Sequence, residues 1–330
     1  MNESVSSLSV SAFTDEPIPY IVAVVHGGES AEAAVRSRRC AQAVAEAVIG
    51  QGGEARLTLA DGVSLPAFVD ETGAERAIVT MGDVPCDAGS LQGLLNSLEV
   101  DYVGSGVAGC TLAARPVTAR TLLRAAQVPV PPHGPVAAHA GLRAEALRIW
   151  GEASGRVRVL PVLPAPVPLG AEGDTVLACA GAADTLDALT DLLTHAAPAA
   201  PLMWESDIAG QSLWIGILDD GQGDPYALRP LPCSGMPPAD RATLARARRL
   251  ALRAHQVLLL RGLSLHRFTR SKATQLLWRE VQTQPDLSPT GLLPQMATAH
   301  HQYAYAEFIY SLLDNSATDR TAWRRTLTPA

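Results

Sequence analysis

The sequence predicts an α/β protein whose N-terminal part is a doubly wound domain. Three observations carry that expectation. An apolar β-branched run at Tyr20–Val25 ends in Gly27-Gly28 and leads into a helical stretch opened by Ser30. A second short apolar run follows at Ala77–Met81, and a further helical stretch at Leu91–Leu98. Strand, glycine turn, helix and strand in that order is the pattern of a layered α/β sheet.

The elements follow in order. The buried strand Tyr20–Val25 has no polar alternation, as expected of a strand covered on both faces. The helix from Ser30 runs to about Ile49, where Gly50 and Gly52-Gly53 stop it. Pro116 suits the first position of a helix over Val117–Ala126, since that position needs no amide donor. Val128–Pro135 is proline-rich and reads as a connection between domains. Ala144–Trp150 and Asp184–His195 read as helices, and Arg156–Leu160 as a strand. Pro161, Pro164, Pro166 and Pro168 forbid a regular element from Pro161 to Gly170. Ser212–Leu218 is a strand, and Pro238 to Leu259 a helix. Ser264–Phe268 and Gln275–Val281 form a hairpin, and one last helix spans Pro294–Asp314.

Composition narrows the function. The 330 residues carry a net charge of -7, which disfavours nucleic-acid and membrane-surface binding. No apolar run is long enough to insert in a membrane. Glu3, Asp15 and Glu16 stand where a secretory signal would be basic and then apolar. The five cysteines are scattered without a C-x-x-C pair, so they read as reduced thiols of a cytoplasmic protein. The 26 basic residues include one lysine, Lys272. A mechanism that places two lysines on a nucleotide phosphate is therefore excluded in its usual form.

Three motifs stand out, Gly27-Gly28-Glu29-Ser30-Ala31-Glu32, Gly89-Ser90-Leu91-Gln92-Gly93-Leu94-Leu95 and Tyr102-Val103-Gly104-Ser105-Gly106-Val107. In this order and spacing they resemble motifs of the D-alanine–D-alanine ligase family of the ATP-grasp superfamily. Val128-Pro129-Val130-Pro131-Pro132, Glu205 before Ile208-Ala209-Gly210, and Glu280-Val281-Gln282-Thr283 before Leu292-Leu293-Pro294 continue the match. The resemblance implies a three-domain ATP-grasp ligase fold. Its expected boundaries are a tail at 1–16, an N-terminal α/β domain at 17–115, a central subdomain at 116–204, a C-terminal subdomain at 205–315 and a tail at 316–330. It implies a cytoplasmic protein of peptidoglycan precursor (cell-wall) metabolism, and a homodimer through the N-terminal domain.

The family's chemistry phosphorylates one D-alanine with ATP and lets a second displace the phosphate. Such a site needs lysines, metal-binding carboxylates and oxyanion donors. Carried over residue by residue, most of these are replaced here. Glu32 matches the family's glutamate for the first substrate's ammonium, although an acidic residue in a first helical turn is also favoured by the helix dipole. Gly82 begins the stretch where a histidine is expected. Pro116 and Leu160 replace phosphate-contacting lysines. Arg158, on the strand face of Leu160, is either a substitute cation or a solvated surface charge. Glu205 matches an adenine-side glutamate, and Ser212 replaces a ribose-binding one. Leu265 replaces the oxyanion-stabilising arginine, and Arg267 replaces a Mg²⁺ carboxylate. Glu280 and Gln282 hold the other two metal positions, and Arg267 could simply pair with Glu280 across the hairpin.

A hard cation wants oxygen ligands, so an arginine among them repels it. The sequence thus implies a ligase homologue that has lost ATP and Mg²⁺ binding, with no cofactor and a binding or regulatory role beside a cell-wall enzyme or an active ligase. The alternative is an active ATP- and Mg²⁺-dependent ligase with an arginine-based phosphate site built from Arg158, Arg115 and Arg120. His300-His301 point apart on one helix and read as structural. Arg241, Arg246, Arg248, Arg249 and Arg253 read as the solvated side of another helix.

Overall fold

The computed structural model describes residues 20–28, 31–81, 89–137, 141–153, 155–161, 177–196, 201–219, 224–231, 240–271, 275–301 and 304–316. Gly82, Lys272, Cys86, Cys233, Tyr303, the proline-rich stretch after Pro161 and the segment 233–238 lie outside them. Three four-stranded sheets organise the rest.

The first sheet is parallel, in the order β2 (Glu54–Leu59), β1 (Ile21–His26), β3 (Arg76–Val79) and β4 (Asp101–Tyr102). Val22, Ala23, Val24 and Val25 are fully buried, as expected of a central strand covered on both faces. Helix α1 (Ala31–Gly50) covers one face through Cys40, Ala41, Val44 and Val48. Helices α2 (Ser64–Thr72) and α3 (Ser90–Ser97) contribute Leu65, Leu91 and Leu95 to the other face. Strand β2 and helix α2 are additions to the sequence reading. Only Thr58 of β2 is buried, so its apolar pattern is weak, as is usual at a sheet edge.

After the short helix α4 (Val107–Ala113), Pro116 opens α5 (Pro116–Ala125), as expected. The second sheet is antiparallel, in the order β5 (His133–Pro135), β8 (Leu202–Ser206), β6 (Val157–Pro161) and β7 (Leu177–Cys179). Helices α6 (Leu142–Glu152) and α7 (Ala182–Asp191) pack on it through Ala146, Ile149, Ala188 and Leu189. Strand β8 lies wholly in this sheet, so a domain boundary between residues 204 and 205 would cut through it.

The third sheet runs β10 (Pro225–Ala227), β9 (Gly210–Asp219), β11 (Leu263–Ser271) and β12 (Leu276–Gln282), again antiparallel. Helix α8 (Arg241–Val257) starts at Asp240, whose carboxylate accepts the Thr243 amide. Its arginines are not uniformly solvated. Arg248 is part-buried and donates to the Ala227 carbonyl, and Arg253 donates to that of Ala126.

The expected single C-terminal helix is two, α9 (Leu292–His301) and α10 (Tyr305–Ser316). The second has its own start, because Glu307 reaches back to accept the Ala304 amide at 2.6 Å. His300 and His301 have structural roles. The Arg229 amide donates to His300 Nδ1, and His301 Nε2 lies 2.9 Å from the Tyr226 hydroxyl. Among the described residues no helix is long and apolar enough to cross a membrane.

Candidate functional site

The second and third sheets face each other across a seam, and charged residues fill it. Glu205, near the end of β8, is the centre. Strand pairing sets Arg158 of β6 directly beside it. Arg120 comes from α5 and reaches Glu205 at 2.6 Å. Arg279 of β12 donates to the other carboxylate oxygen. Arg158 stands further off, at 3.6 Å. Glu205, Arg120 and Arg279 are each 5% exposed or less.

A bulge explains how Arg279 gets there. Arg267 of β11 pairs with Glu280, and the next residue, Phe268, pairs with Trp278. Arg279 is therefore the extra residue of β12, and such an insertion re-aims a side chain out of the regular alternation. Its guanidinium also donates to the Ser206 carbonyl, while Arg120 donates to the Arg279 carbonyl at 3.1 Å. The Trp278 amide donates to the Pro129 carbonyl and closes the seam from that side. The seam is thus a buried ionic joint between the sheets.

Burial alone would push the Glu205 carboxyl up. The guanidiniums of Arg120, Arg279 and Arg158 outweigh that and hold it below the usual carboxylate range. A short distance along β12 lies the second pair, in which Arg267 donates to Glu280 at 3.0 Å with both side chains about 30% exposed. Burial raises the Glu280 carboxyl against the opposing pull of Arg267. Arg267 also lies over the Trp214 ring, 5.7 Å from its centroid.

Leu265 is buried in the apolar core beside Leu218, Leu263 and Leu293, so no donor replaces the one expected there. Gln282 is buried, with its Oε1 unpartnered among the described residues. Pro116 contributes only a helix start, and Leu160 continues β6. Arg158 is not a free surface charge, because its side chain is 19% exposed and faces Glu205. Glu32 stands in the first turn of α1. Its side chain is 84% exposed and pairs with Arg36 at 2.8 Å, one helical turn on.

The reverse face of β11 carries a buried chain of hydrogen bonds. Trp278 Nε1–H donates to His266 Nδ1 at 3.1 Å, which leaves the His266 proton on Nε2. That nitrogen lies 3.0 Å from the Ser264 hydroxyl, which lies 2.8 Å from His255 Nδ1. His255 Nε2 then faces Asp219 at 3.6 Å. Ser264 and His266 are completely buried, so this serine has no route to a substrate. The chain fixes β11, and with it Leu265 and Arg267, against α8 and β12.

The sequence reading missed Arg279, because a strand arginine beside Glu280 should point to the opposite face. Only the bulge reverses that. Arg120 was readable as a basic residue on α5, but nothing local shows that it meets Glu205.

Three sheets of this order, two of them antiparallel and closing on one seam, define the ATP-grasp ligase fold. Along nearly its whole length the chain is similar to D-alanine–D-alanine ligases. It is 27% identical over 323 residues to the D-alanine–D-alanine ligase of Methylorubrum populi, covering 91% of this chain and 99% of that protein. It is 28% identical over 334 residues to the enzyme of Rhodopseudomonas palustris, covering 91% and 98%. The D-alanine–D-alanine ligase structure from Coxiella burnetii superposes with a TM-score of 0.74 at 19% identity, covering 93% of this chain and 98% of that one. The Bacillus anthracis ligase complexed with ATP superposes with a TM-score of 0.70 at 16% identity, covering 94% and 100%. No protein-family model matches the chain.

Proposed function

We propose that this protein is a ligase-fold pseudoenzyme, a D-alanine–D-alanine ligase homologue that neither binds MgATP productively nor forms a dipeptide. One observation carries the reading. Arg267, at a position where the family resemblance implies a metal carboxylate, forms an ion pair with Glu280 at 3.0 Å. The carboxylate that should share a Mg²⁺ ion is engaged by a fixed cation instead. At the separations of a metal site, like-charge repulsion is about 4 kcal/mol even at an effective dielectric of 20.

The other residues support the same reading. Among the described residues no group of three or more His, Cys, Asp or Glu side chains is placed to hold a metal. Glu205 has both oxygens occupied by arginines. Leu265 and Leu160 supply no charge. The described residues of the seam do not fit MgATP.

The role would be binding or regulation in cytoplasmic cell-wall precursor metabolism, beside an active ligase or another enzyme of that metabolism. A homodimer through the N-terminal domain fits the exposed apolar residues there, Val35, Ile49, Leu59 and Val63. The test is an ATP-dependent ligation assay with D-alanine and Mg²⁺, run beside calorimetric titration with MgATP. Absence of dipeptide and of nucleotide binding is expected. Ready dipeptide formation by the wild-type chain would sink the reading.

A further inference from the structure

Charge is segregated on this molecule. The chain has 33 acidic and 26 basic residues, yet helices α4, α5 and α8 contain no Asp or Glu. Helix α8 carries Arg241, Arg246, Arg248, Arg249 and Arg253, and all but Arg248 are exposed. The exposed Arg229, just past β10, adds its charge to that of Arg248. None of these guanidiniums pairs with a carboxylate among the described residues. Elsewhere on the surface such pairs do form, as in Arg36 with Glu32, Arg56 with Glu54 and Arg148 with Glu152.

The helix gains nothing of its own from this arrangement. Arg241 stands in its first turn, where the dipole disfavours a cation. Arg249 lies three residues from Arg246 and four from Arg253, so like charges adjoin on the helix surface.

The arginines border an apolar line. Ala245 and Leu252 are seven residues apart and fall within about 20° of each other around the axis. Arg241 and Arg248 lie on one side of that line, and Arg249, Arg253 and Arg246 on the other. Ala245 is exposed, and Leu252 is half-buried at the edge of the core. Just past the helix end, Leu259 is 58% exposed and sits at φ 55°, in the left-handed region. Glycine is the usual residue there, whereas leucine is strained in that conformation and leaves its apolar surface in water. An apolar line flanked on both sides by one sign of charge suits pairing with an amphipathic helix of the opposite sign.

From this arrangement we propose that the outer face of α8 docks an acidic amphipathic helix of a partner protein. Its apolar side chains would lie against Ala245, Leu252 and Leu259, and its carboxylates beside Arg249 and Arg253. The net charge of -7 opposes a long polyanion such as DNA, which would also meet the acidic remainder of the chain. An apolar line one residue wide is too narrow to enter a bilayer. The docking face uses no residue of the ionic seam, so it stands whether or not the chain ligates D-alanine.

The test is fluorescence anisotropy of a labelled synthetic peptide with the full chain, at about 50 mM salt. The peptide has about three heptads, with Leu at the core positions and Glu at the flanking ones, so that its own charges keep it monomeric. A Kd of about 10 μM or tighter is expected, and a Lys-flanked counterpart should bind at least about tenfold more weakly. Arg249→Glu with Arg253→Glu should reverse that preference. Arg143→Glu, exposed on α6, should leave it unchanged. Leu259→Gly should weaken the acidic peptide about threefold or more while Tm holds or rises, because glycine relieves the left-handed strain as it removes the contact. No binding of the acidic peptide, no reversal in the double variant, an equal effect of Arg143→Glu, or unchanged binding by Leu259→Gly overturns the docking face. Duplex DNA or phosphatidylserine vesicles that bind as tightly as the peptide, and lose binding in the same double variant, overturn the protein partner.

Discussion

The third sheet meets its neighbours along two seams of opposite construction. Toward the N-terminal domain the seam is built mainly on close backbone packing. Ser105 accepts the Arg261 amide at 3.1 Å, and Gly262, at φ +68°, packs against the Gly104 backbone so closely that a Cβ would lie 2.9 Å from the Gly104 nitrogen. Toward the central sheet the seam is ionic, and long side chains span it. The backbone seam carries the Gly104-Ser105-Gly106 motif, whereas the ionic one keeps few of the charged roles that the resemblance implies. Close backbone packing leaves little freedom to vary, since only glycine fits at such a φ and separation. Long side chains can be exchanged as long as charge and volume are roughly kept. In this chain the family-like glycine motif stands where atoms touch tightly, and the departures from the resemblance stand where long side chains meet.

The largest expected effect breaks the ionic seam at its centre. Glu205→Ala leaves three guanidiniums facing one another in a buried site and should cost about 3–5 kcal/mol, read from urea unfolding. A loss below about 1 kcal/mol would show that the seam does not hold the sheets together. The same group has a pH signature. Its folded pKa is depressed, so its contribution is fully present above the unfolded value near 4.3 and is lost as pH falls through the folded pKa. Wild type should therefore lose stability on acidification below about pH 4.3, and Glu205→Gln should lose less over that range.

The backbone seam gives the next effect. Gly262→Ala forces a Cβ into a left-handed position against the Gly104 backbone and should cost about 2 kcal/mol. Raising salt should change that loss little, because the clash itself is steric. A salt-dependent loss would blur the contrast between the seams.

How much of this was legible in sequence follows the same division. Gly27-Gly28 and the Pro116 helix start could be read, because each is a local backbone requirement. The burial of β1 could be read because a strand covered on both faces is apolar throughout. Strand β2 could not, since an edge strand carries half the pattern. The Arg267–Glu280 pair was legible from hairpin geometry. Arg279 was not, because the bulge that redirects it depends on pairing with β11. The break before α10 was also hidden, because Glu307 capping Ala304 looks like any acidic residue on a helix.

A smaller effect sharpens the comparison at the metal position. Arg267→Asp places two carboxylates opposite each other and should cost about 1 kcal/mol without metal. Millimolar Mg²⁺ should then recover stability in the variant and leave the wild type unchanged, because only the variant offers paired oxygen ligands. If Mg²⁺ stabilises both equally, Arg267 is not what excludes the ion.

The smallest expected effect lies at Glu32, the one substrate-side carboxylate that the resemblance retains. Its pair with Arg36 is a surface i,i+4 contact, 84% exposed on the glutamate side. Such pairs contribute about 0.3–0.5 kcal/mol, so Glu32→Ala should barely move the unfolding midpoint. A helix-surface role ends there, and D-alanine should stabilise neither wild type nor variant. If D-alanine instead raises the wild-type Tm and Glu32→Ala abolishes the rise, the carboxylate still holds an ammonium. The amino-acid side would then have outlived the phosphate side, and the division between kept and rewritten parts would run through the ligand site itself.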